Sequence, residues 1–319
     1  MAKHQIEISP PDLSPYRTGN TGVEYVHRLD SGKPGPTVMV QALTHGNEYC
    51  GAMALDYLFR EGLKPKQGVL ILAFANVAAF ARFDFEDPDR SRYIDEDYNR
   101  VWGDDQLLGS RDSAELRRAR ELRPFVESAD YLLDLHSMTE PCRPIMVCGV
   151  NGKGGEKSIA FTKKLGVPGD LLVDTGHPKG LRMIERGAFG DPKSPKVAVL
   201  IECGQHWEKS AAEVARETLL RFLGVTGVIQ ESFVNSRLKM TPPREQRVVQ
   251  VTEAVVAQSA QFRFEGEFKG LECLPKAGTP VARDGEKVWK TPYDDTVLVM
   301  PSTAHIKPGN TMVRLGRYI

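Results

Sequence analysis

The chain has 319 residues, of which 41% are hydrophobic and 26% are charged. This balance is typical of a folded globular protein and excludes a disordered or collagen-like chain. The 42 Lys and Arg residues match the 42 Asp and Glu residues, so the formal net charge is zero. Binding to a phosphate backbone needs a basic surplus that this sequence lacks, so nucleic acid is not an expected partner.

The expected compartment is the cytoplasm. No apolar stretch near the amino terminus has the length of a signal peptide, and no window reaches the roughly 18 apolar residues of a membrane span. The five cysteines form an odd set without a Cys-x-x-Cys pair. This pattern favours reduced thiols over a disulfide framework. The sequence therefore predicts a protein without a membrane segment.

The first two thirds of the sequence alternate short apolar runs with helical patterns. Each apolar run has the length of a buried strand and is bounded by turn residues. Alternation of strand and helix predicts an α/β fold with a doubly wound, mostly parallel sheet. The four strands predicted in this part cover residues 36–43, 68–75, 131–135 and 196–201.

Three helices are predicted between and after these strands. The first follows the first strand and stops near Gly62, the second covers about 112–126, and the third stops near Gly224. The second helix opens with Asp112-Ser-Ala-Glu115, which has the form of a capping box. The charged stretch 84–105 shows no helical or strand period, and we expect it to be a long structured loop.

The sequence changes character after about residue 228. Pro242-Pro243 interrupts the chain, and short β-type runs separated by Gly, Pro and Asp follow. This change predicts two domains, an α/β domain over residues 1–228 and a smaller β-rich domain over residues 229–319.

Histidine and glutamate side chains follow three of the predicted strands. His45 and Glu48 come after the first strand, His136 after the third and Glu202 after the fourth. Ligands of open α/β sheets bind beyond the carboxyl ends of the strands, so we expect these side chains to meet. A catalytic zinc ion takes three protein ligands of this kind and leaves one position for water. His45, Glu48 and His136 are therefore the predicted metal ligands, and Glu202 suits the general base; cobalt or manganese could also occupy such a site.

Two further residues near this cluster have more than one interpretation. Asp134 lies two residues before His136 on the same face of a strand, where it could orient the imidazole or form a salt bridge under the sheet. His206 lies four residues after Glu202. It could touch the substrate or assist proton transfer, or it could cap the next helix or pack beside Trp207.

Four motifs occur in order between residues 45 and 204. They are His45-Gly-Asn-Glu48, Arg92-Tyr-Ile-Asp-Glu-Asp-Tyr-Asn99-Arg100, Asp134-Leu-His136-Ser137 and Ile201-Glu-Cys-Gly204. Taken together, they resemble the aspartoacylase/succinylglutamate desuccinylase family. The resemblance implies a zinc carboxypeptidase-type α/β domain, here residues 1–228, with a β-rich carboxyl-terminal domain and one zinc ion per chain.

The resemblance also implies the roles of individual residues. His45, Glu48 and His136 would hold zinc, and Glu202 would act as general base and acid. Arg92 would polarise the scissile carbonyl, while Asn99 and Arg100 would bind the substrate carboxylate, a task for which the guanidinium group is well shaped. The alternative is that these arginines only neutralise the acidic residues between positions 84 and 97.

The sequence departs from the family pattern on the substrate side. Aspartoacylases follow the base with Gly-Pro-Gln, whereas this chain has Gly204-Gln205-His206-Trp207. The family uses an arginine upstream of the base for a second carboxylate; Arg186 is the predicted counterpart and Arg182 the alternative. A tyrosine of the second domain completes that pocket in the family, and the stretch 301–306 has none.

The expected function is that of a zinc-dependent amidohydrolase that cleaves an N-acyl amino acid, or a related N-acyl amine, to a carboxylate and a free amine. The expected partner is this small, carboxylate-bearing substrate. The sequence leaves open whether the chain forms a homo-oligomer. The alternatives are a metallocarboxypeptidase-type peptidase on the same fold and a non-catalytic, metal-containing binding protein. The acyl group and the amino acid are not determined by the sequence.

Overall fold

The computed structural model describes residues 4–238, 245–304 and 306–319. The predicted break at Pro242-Pro243 and residue His305 of the stretch 301–306 lie outside these residues. The strands in chain order are β1 Val26–Asp30, β2 Thr37–Ala42, β3 Val69–Phe74, β4 Tyr131–Met138, β5 Ile145–Val150, β6 Asp170–Asp174, β7 Val197–Gln205, β8 Arg247–Val256, β9 Arg263–Phe264, β10 Glu272–Leu274, β11 Pro280–Asp284, β12 Lys287–Lys290, β13 Thr296–Val299 and β14 Thr311–Tyr318.

The α-helices of the same residues differ widely in length, and the longest follows β7. No helix in the described part of the chain is both long enough and apolar enough to cross a membrane. The helices are α1 Cys50–Arg60, α2 Val77–Phe80, α3 Asp104–Leu107, α4 Ala114–Ser128, α5 Gly155–Leu165, α6 Lys209–Thr226 and α7 Glu231–Asn235.

Eleven of the described strands form one sheet in the order β1-β3-β2-β4-β7-β5-β6-β8-β14-β13-β10. The pairs that join β3, β2, β4 and β7 are parallel, and so are those that join β5, β6 and β8. Antiparallel pairs join β1 to β3 and β5 to β7 and connect the carboxyl-terminal strands. The predicted α/β class with a mostly parallel sheet is confirmed.

The carboxyl-terminal strands extend the central sheet instead of forming a sheet apart. β8 pairs in parallel with β6, with Val248 opposite Leu171. The region also has a hydrophobic cluster of its own, which includes Phe262, Trp289 and Leu315. Strands β9, β11 and β12 form a small antiparallel sheet beside it. The predicted smaller β-rich region is confirmed, while a domain boundary near residue 228 stays a prediction.

Helices cover both faces of the sheet, as expected for a doubly wound fold. Val38 and Val40 of β2 belong to the same buried cluster as Leu55 of α1. Met39, between them, belongs to the cluster on the other face with Leu116 of α4. Because successive strand side chains point to opposite faces, one strand supports both layers. Burial of each such side chain contributes roughly 1.5–3 kcal/mol.

The four strands predicted for the first two thirds correspond to β2, β3, β4 and β7 and differ from them mainly at the ends. Strands β1, β5 and β6 were not predicted. β1 has an alternating burial pattern, with only Val26 fully buried. It therefore lacks the continuous apolar run that identifies the central strands.

Candidate metal centre and active site

The sheet brings the predicted metal ligands together through neighbouring parallel strands. β4 lies between β2 and β7. His136 on β4 is the register partner of Glu202 on β7. His45 and Glu48 lie in the short turn between the end of β2 and the start of α1. All four residues therefore lie beyond or near the carboxyl ends of these parallel strands, as their positions in the sequence predicted.

His45, Glu48 and His136 form a buried cluster whose ligand atoms all lie within 4.8 Å of one another. Nδ1 of His45 is 2.8 Å from Oε1 of Glu48, and Nδ1 of His136 is 2.9 Å from Oε2 of the same carboxylate. Two imidazole nitrogens and one carboxylate oxygen are the ligand types of catalytic zinc sites. The donor set and its convergence on one small space fit such an ion.

Two aspartates contact the imidazole nitrogens that face away from Glu48. Nε2 of His45 lies 2.9 Å from Asp97, and Nε2 of His136 lies 2.8 Å from Asp134. Thr44 donates to the other oxygen of Asp134 over 2.8 Å. These contacts turn each Nδ1 toward Glu48, the arrangement usual for metal-binding histidines. Asp134 thus orients the imidazole, and Asp97 does the same for His45, although the sequence did not distinguish it from its acidic neighbours.

The charges of this cluster are strongly coupled. Burial disfavours the charged form of Glu48, but His45 and His136 outweigh it and hold the pKa of this carboxyl well below its usual range. Burial also opposes protonation of His136, yet Asp134 and Glu48 raise its pKa well above its usual range. Carboxylates gathered around two buried histidines make the space favourable for a cation.

Glu202 lies beside the cluster and differs from it in its hydrogen bonding. Its Oε2 is buried and has no hydrogen-bond partner among the residues that the structure describes. Burial first, and then the neighbouring Glu48 carboxylate, raise the pKa of Glu202 to about 7. A carboxyl group of this kind is suited to exchanging a proton near neutral pH.

A cavity of about 200 Å³ contains the cluster, Glu202 and a set of cationic and polar side chains. Its walls come from both parts of the chain, because Met300, Pro301 and Ser302 contribute to it. The other polar side chains of the cavity that enter the argument below are Arg92, Asn99, Arg100, Arg182, His206 and Arg314.

Arg92 points into this cavity next to the candidate metal ligands. Its Nη1 donates to Oε1 of Glu48 over 2.9 Å, and its Nη2 is 3.7 Å from Asp97. Burial opposes the charge of Arg92, but Glu48 and Asp97 outweigh it and raise its pKa. The guanidinium therefore stays charged beside the position of the proposed ion. The sequence left open that Arg92 only neutralises acidic neighbours. It does pair with acidic residues, but these residues lie at the site itself.

Asn99 and Arg100 also line the cavity. Arg100 donates to the carbonyl oxygen of Asn99 over 2.7 Å, and its nearest ion pair within the described residues, with Asp97, is as long as 4.0 Å. Burial, reinforced by Arg182 and Arg314, lowers the pKa of Arg100. A guanidinium does not lose its proton at physiological pH, so this part of the cavity keeps a positive charge that an anion can neutralise.

The structure does not bring the predicted contact Arg186 to the cavity. Its Nη1 donates to the carbonyl of Trp102 over 3.0 Å, and its Nη2 is 2.7 Å from Glu127. The alternative, Arg182, does line the cavity. A single 3-10 turn, Met183–Glu185, separates the two arginines, and they leave it in different directions. We therefore replace Arg186 by Arg182 in the candidate site.

Arg314 is a cavity residue that sequence reasoning missed. It lies on β14, and its Nε is 3.4 Å from Asp174, which also pairs with Arg182 over 3.0 Å. Burial lowers the pKa of Arg314, and Arg182 adds to the effect. The only available signal was its place in a β-type run of the carboxyl-terminal region. Such a run does not tell which side chains reach a site formed by another part of the chain.

His206 lies on the wall of the cavity as a neutral side chain. Its Nδ1 is 2.9 Å from the hydroxyl of Ser137 and its Nε2 is 3.3 Å from that of Thr139. Burial lowers its pKa to about 3. The residue does not cap α6, whose N-cap is Glu208. It therefore belongs to the cavity while its ring also packs 5.4 Å from that of Trp207.

Comparison with known families decides the assignment. Residues 34–224 match the succinylglutamate desuccinylase/aspartoacylase catalytic domain. The chain belongs to this family. It is thereby placed among deacylases, which hydrolyse amides, and the resemblance carried by the four motifs is confirmed. No curated protein matches the chain in sequence comparison.

Several solved structures share the fold of this chain at low sequence identity. The succinylglutamate desuccinylase of Vibrio parahaemolyticus has a TM-score of 0.69 at 13% identity, over 93% of this chain and 86% of that one. A family member from Rhodobacter sphaeroides has a TM-score of 0.66 at 18% identity, over 93% and 90%. The product-bound ectoine utilization protein EutE of Ruegeria pomeroyi has a TM-score of 0.64 at 17% identity, over 92% and 89%.

One family motif, His45-Gly-Asn-Glu48, depends on the absence of a side chain at its second position. A Cβ atom on Gly46 would lie 2.3 Å from the carbonyl oxygen of Ser91 and 2.4 Å from the amide nitrogen of Phe80. Both are backbone atoms, so the turn that carries the candidate ligands His45 and Glu48 would have to shift. We expect Gly46→Ala to lower the free energy of unfolding by about 1–3 kcal/mol and to weaken zinc binding.

Thermal unfolding and zinc titration of the Gly46→Ala protein check this expectation. Gly169→Ala is the matched control, because a Cβ atom there would meet nothing within 4 Å. Unchanged stability and unchanged zinc affinity of the Gly46 variant would show that the turn adapts freely.

Proposed function

We propose that this enzyme is a zinc-dependent amidohydrolase that cleaves an N-acyl amino acid to a carboxylate and a free amine. The observation that carries the proposal is the convergence of His45, Glu48 and His136 beside Glu202 in one cavity. The three ligands belong to a donor set that fits zinc, and the fourth residue is a carboxyl group with one buried oxygen that has no hydrogen-bond partner in the described part of the chain.

The metal and the carboxyl group have separate tasks. When bound, zinc supplies Lewis-acid chemistry that makes a water molecule nucleophilic near neutral pH. Glu202 takes a proton from the attacking water and later delivers it to the leaving amine. Its pKa of about 7 keeps both protonation states accessible during the cycle.

Arg92 is placed to stabilise the charge that develops on the amide oxygen. Its guanidinium lies beside Glu48, one of the proposed ligands, and stays charged. A donor of this type that is aligned before the reaction contributes about 10²- to 10³-fold in rate in comparable sites. The role inferred from the family motif therefore agrees with the position of the side chain.

The cationic part of the cavity indicates that the substrate is an anion. Arg100 and Arg314 are half-buried, and among the described residues their ion pairs are long, at 4.0 Å and 3.4 Å, whereas Arg182 is paired with both Asp174 and Glu185. A carboxylate of the substrate would neutralise this excess charge, with the amide of Asn99 as a further donor. A peptide with a free carboxyl terminus carries the same group, so the peptidase alternative is decided by experiment.

We expect Arg100→Gln to reduce kcat/KM for N-acyl amino acids by roughly 10- to 100-fold, mainly through KM, because a charge-assisted contact with the substrate is lost. The same change should have a much smaller effect on the methyl ester of the same compound. Steady-state kinetics on this matched pair checks the expectation. Arg17→Gln, at an exposed arginine on the surface, is the control. Equal losses on acid and ester would contradict carboxylate binding by Arg100.

The proposed function as a whole is tested by a screen of N-acetyl, N-succinyl and N-formyl amino acids and of short peptides, with free amine as the readout. Release from at least one class of N-acyl amino acid supports the proposal. Release from peptides alone would favour the peptidase. Stoichiometric zinc without turnover on the whole panel would favour a binding protein.

A further inference from the structure

Glu115 is a buried carboxyl group that the reaction described above does not use. The capping box predicted at Asp112-Ser-Ala-Glu115 does not form, because the N-cap of α4 is Ser113, whose hydroxyl accepts from the backbone of Leu116. The Glu115 side chain points instead to a segment about twenty residues earlier in the chain. It is 0% exposed.

The carboxylate accepts four hydrogen bonds there. Oε1 accepts from the backbone of Ile94 over 2.7 Å and from the amide of Asn76 over 2.9 Å. Oε2 accepts from the backbone of Asp95 over 3.0 Å and of Glu96 over 3.2 Å. Successive backbone N–H groups that converge in this way form a concave site for an anion. In this protein the anion is a side chain of the same chain.

Burying a carboxylate next to other acidic residues costs free energy, and this cost indicates that Glu115 has a specific role. The segment it contacts belongs to the acidic stretch 84–97, so further negative charge is unfavourable there unless donors satisfy it. Two more contacts join the same pieces: Ser113 donates to Glu96 over 2.5 Å, and the backbone of Ala114 donates to Asp95 over 2.8 Å. Helix α4 and the loop are therefore fastened at several points.

The fastened segment lies between the two groups of residues that act on the substrate. Arg92 precedes it by two residues, and Asn99 and Arg100 follow it by three and four. On the Arg92 side, the carbonyl oxygen of this residue accepts from the backbone of Gly46 over 3.0 Å, within the metal-binding turn. The loop is thus tied to the metal centre on one side and to α4 on the other.

We propose that Glu115 is a positioning residue, which holds residues 94–96 so that Arg92 and the Asn99–Arg100 pair point into the cavity. The inference rests on the proposed function, since it concerns the aim of residues assigned to that reaction. Glu115 does not touch the substrate. Helix α4 is packed on the sheet through Leu116 and Leu122, both 0% exposed. The hydrogen bonds of Glu115 therefore attach the loop to a rigid part of the core.

The test is Glu115→Gln, which keeps the shape but turns an NH2 group toward backbone donors. We expect faster amide hydrogen exchange in residues 92–100, and we expect zinc still to bind at one equivalent per chain, because the three proposed ligands are unchanged. We also expect kcat/KM to fall at least tenfold, with a lower kcat and a higher KM. Glu121→Gln, on the same helix with a largely exposed side chain, should match the wild type. A purely structural role would lower the unfolding temperature without changing kcat of the folded protein.

A double-mutant cycle with Arg92→Ala makes the test specific. If Glu115 acts through Arg92, adding Glu115→Gln to Arg92→Ala should change kcat by less than twofold. The proposal is overturned if exchange of residues 92–100 does not change, if kcat/KM of Glu115→Gln stays within twofold of wild type, or if the two losses in kcat multiply. Should Glu115→Gln not fold, Glu115→Asp, which keeps the charge and loses reach, gives the same readouts.

Failure of the proposed function is distinguishable from failure of this inference. If the wild-type enzyme hydrolyses no N-acyl amino acid, the proposed function is wrong. Hydrogen exchange alone still decides whether Glu115 holds the loop. Faster exchange in the variant would then support the proposal that Glu115 holds residues 94–96, and unchanged exchange would refute it.

Discussion

Glu202→Ala is expected to reduce kcat by about 10²- to 10⁴-fold, the usual contribution of a general acid and base. Zinc content should stay at about one per chain, because the three proposed ligands are other residues. Stability should change little, since the buried Oε2 makes no hydrogen bond among the described residues that the substitution could remove. Steady-state kinetics, zinc analysis and thermal unfolding of the same preparation measure all three quantities.

Two further variants make the result for Glu202 interpretable. Glu202→Gln keeps the shape of the side chain and cannot take a proton, so its kcat should fall as far as that of the alanine variant. Glu213→Ala, at an exposed position on α6, should leave kcat unchanged. Turnover of Glu202→Ala within tenfold of the wild type would show that another group handles the proton.

His136→Ala is expected to abolish measurable turnover and to lower zinc affinity. The loss should exceed the roughly 10- to 100-fold typical of residues that only orient a ligand. The variant leaves Asp134 buried without its imidazole partner, so a lower unfolding temperature is also expected. Zinc content after dialysis and activity at saturating substrate are the measurements.

The control for His136 is a histidine outside the cavity. His27 lies on β1 at the edge of the sheet, where its ring contacts Phe59. His27→Ala should keep zinc and kcat even if it loses stability. A His136→Ala protein that binds one zinc ion with the wild-type affinity would contradict the assignment of the ligands.

The centre of the site could be predicted from sequence because it follows from strand order. Each of His136 and Glu202 lies on a strand with a continuous apolar run, and parallel neighbours place their carboxyl ends together. His45 and Glu48 follow a third such strand directly. No tertiary contact beyond the sheet itself was needed to expect these side chains at one edge.

The substrate side was predicted less well, because it depends on turns and on contacts distant in sequence. Arg182 and Arg186 are four residues apart and look equivalent in the sequence, but the 3-10 turn between them sends only Arg182 to the cavity. Arg314 reaches the cavity because β14 lies in the extension of the central sheet that starts with the pair β6 and β8. Neither the turn nor the pairing has a local sequence signal.

Glu115 shows a different limit of local patterns. A serine or aspartate three residues before a glutamate is a sound sign of a helix start, and α4 does start there. The glutamate nevertheless binds backbone groups of a distant loop. These donors offer a buried carboxylate more hydrogen bonds than the single N-cap amide would, and tertiary contacts therefore override the local motif.

The most direct test of the account is a zinc titration of the metal-free enzyme with the best substrate of the N-acyl amino acid screen. Free amine release should be absent without metal, rise in proportion to added zinc and level off at one equivalent per chain. Full activity of the metal-free protein, or no activity at one equivalent of bound zinc, would contradict the proposed zinc-dependent amide hydrolysis.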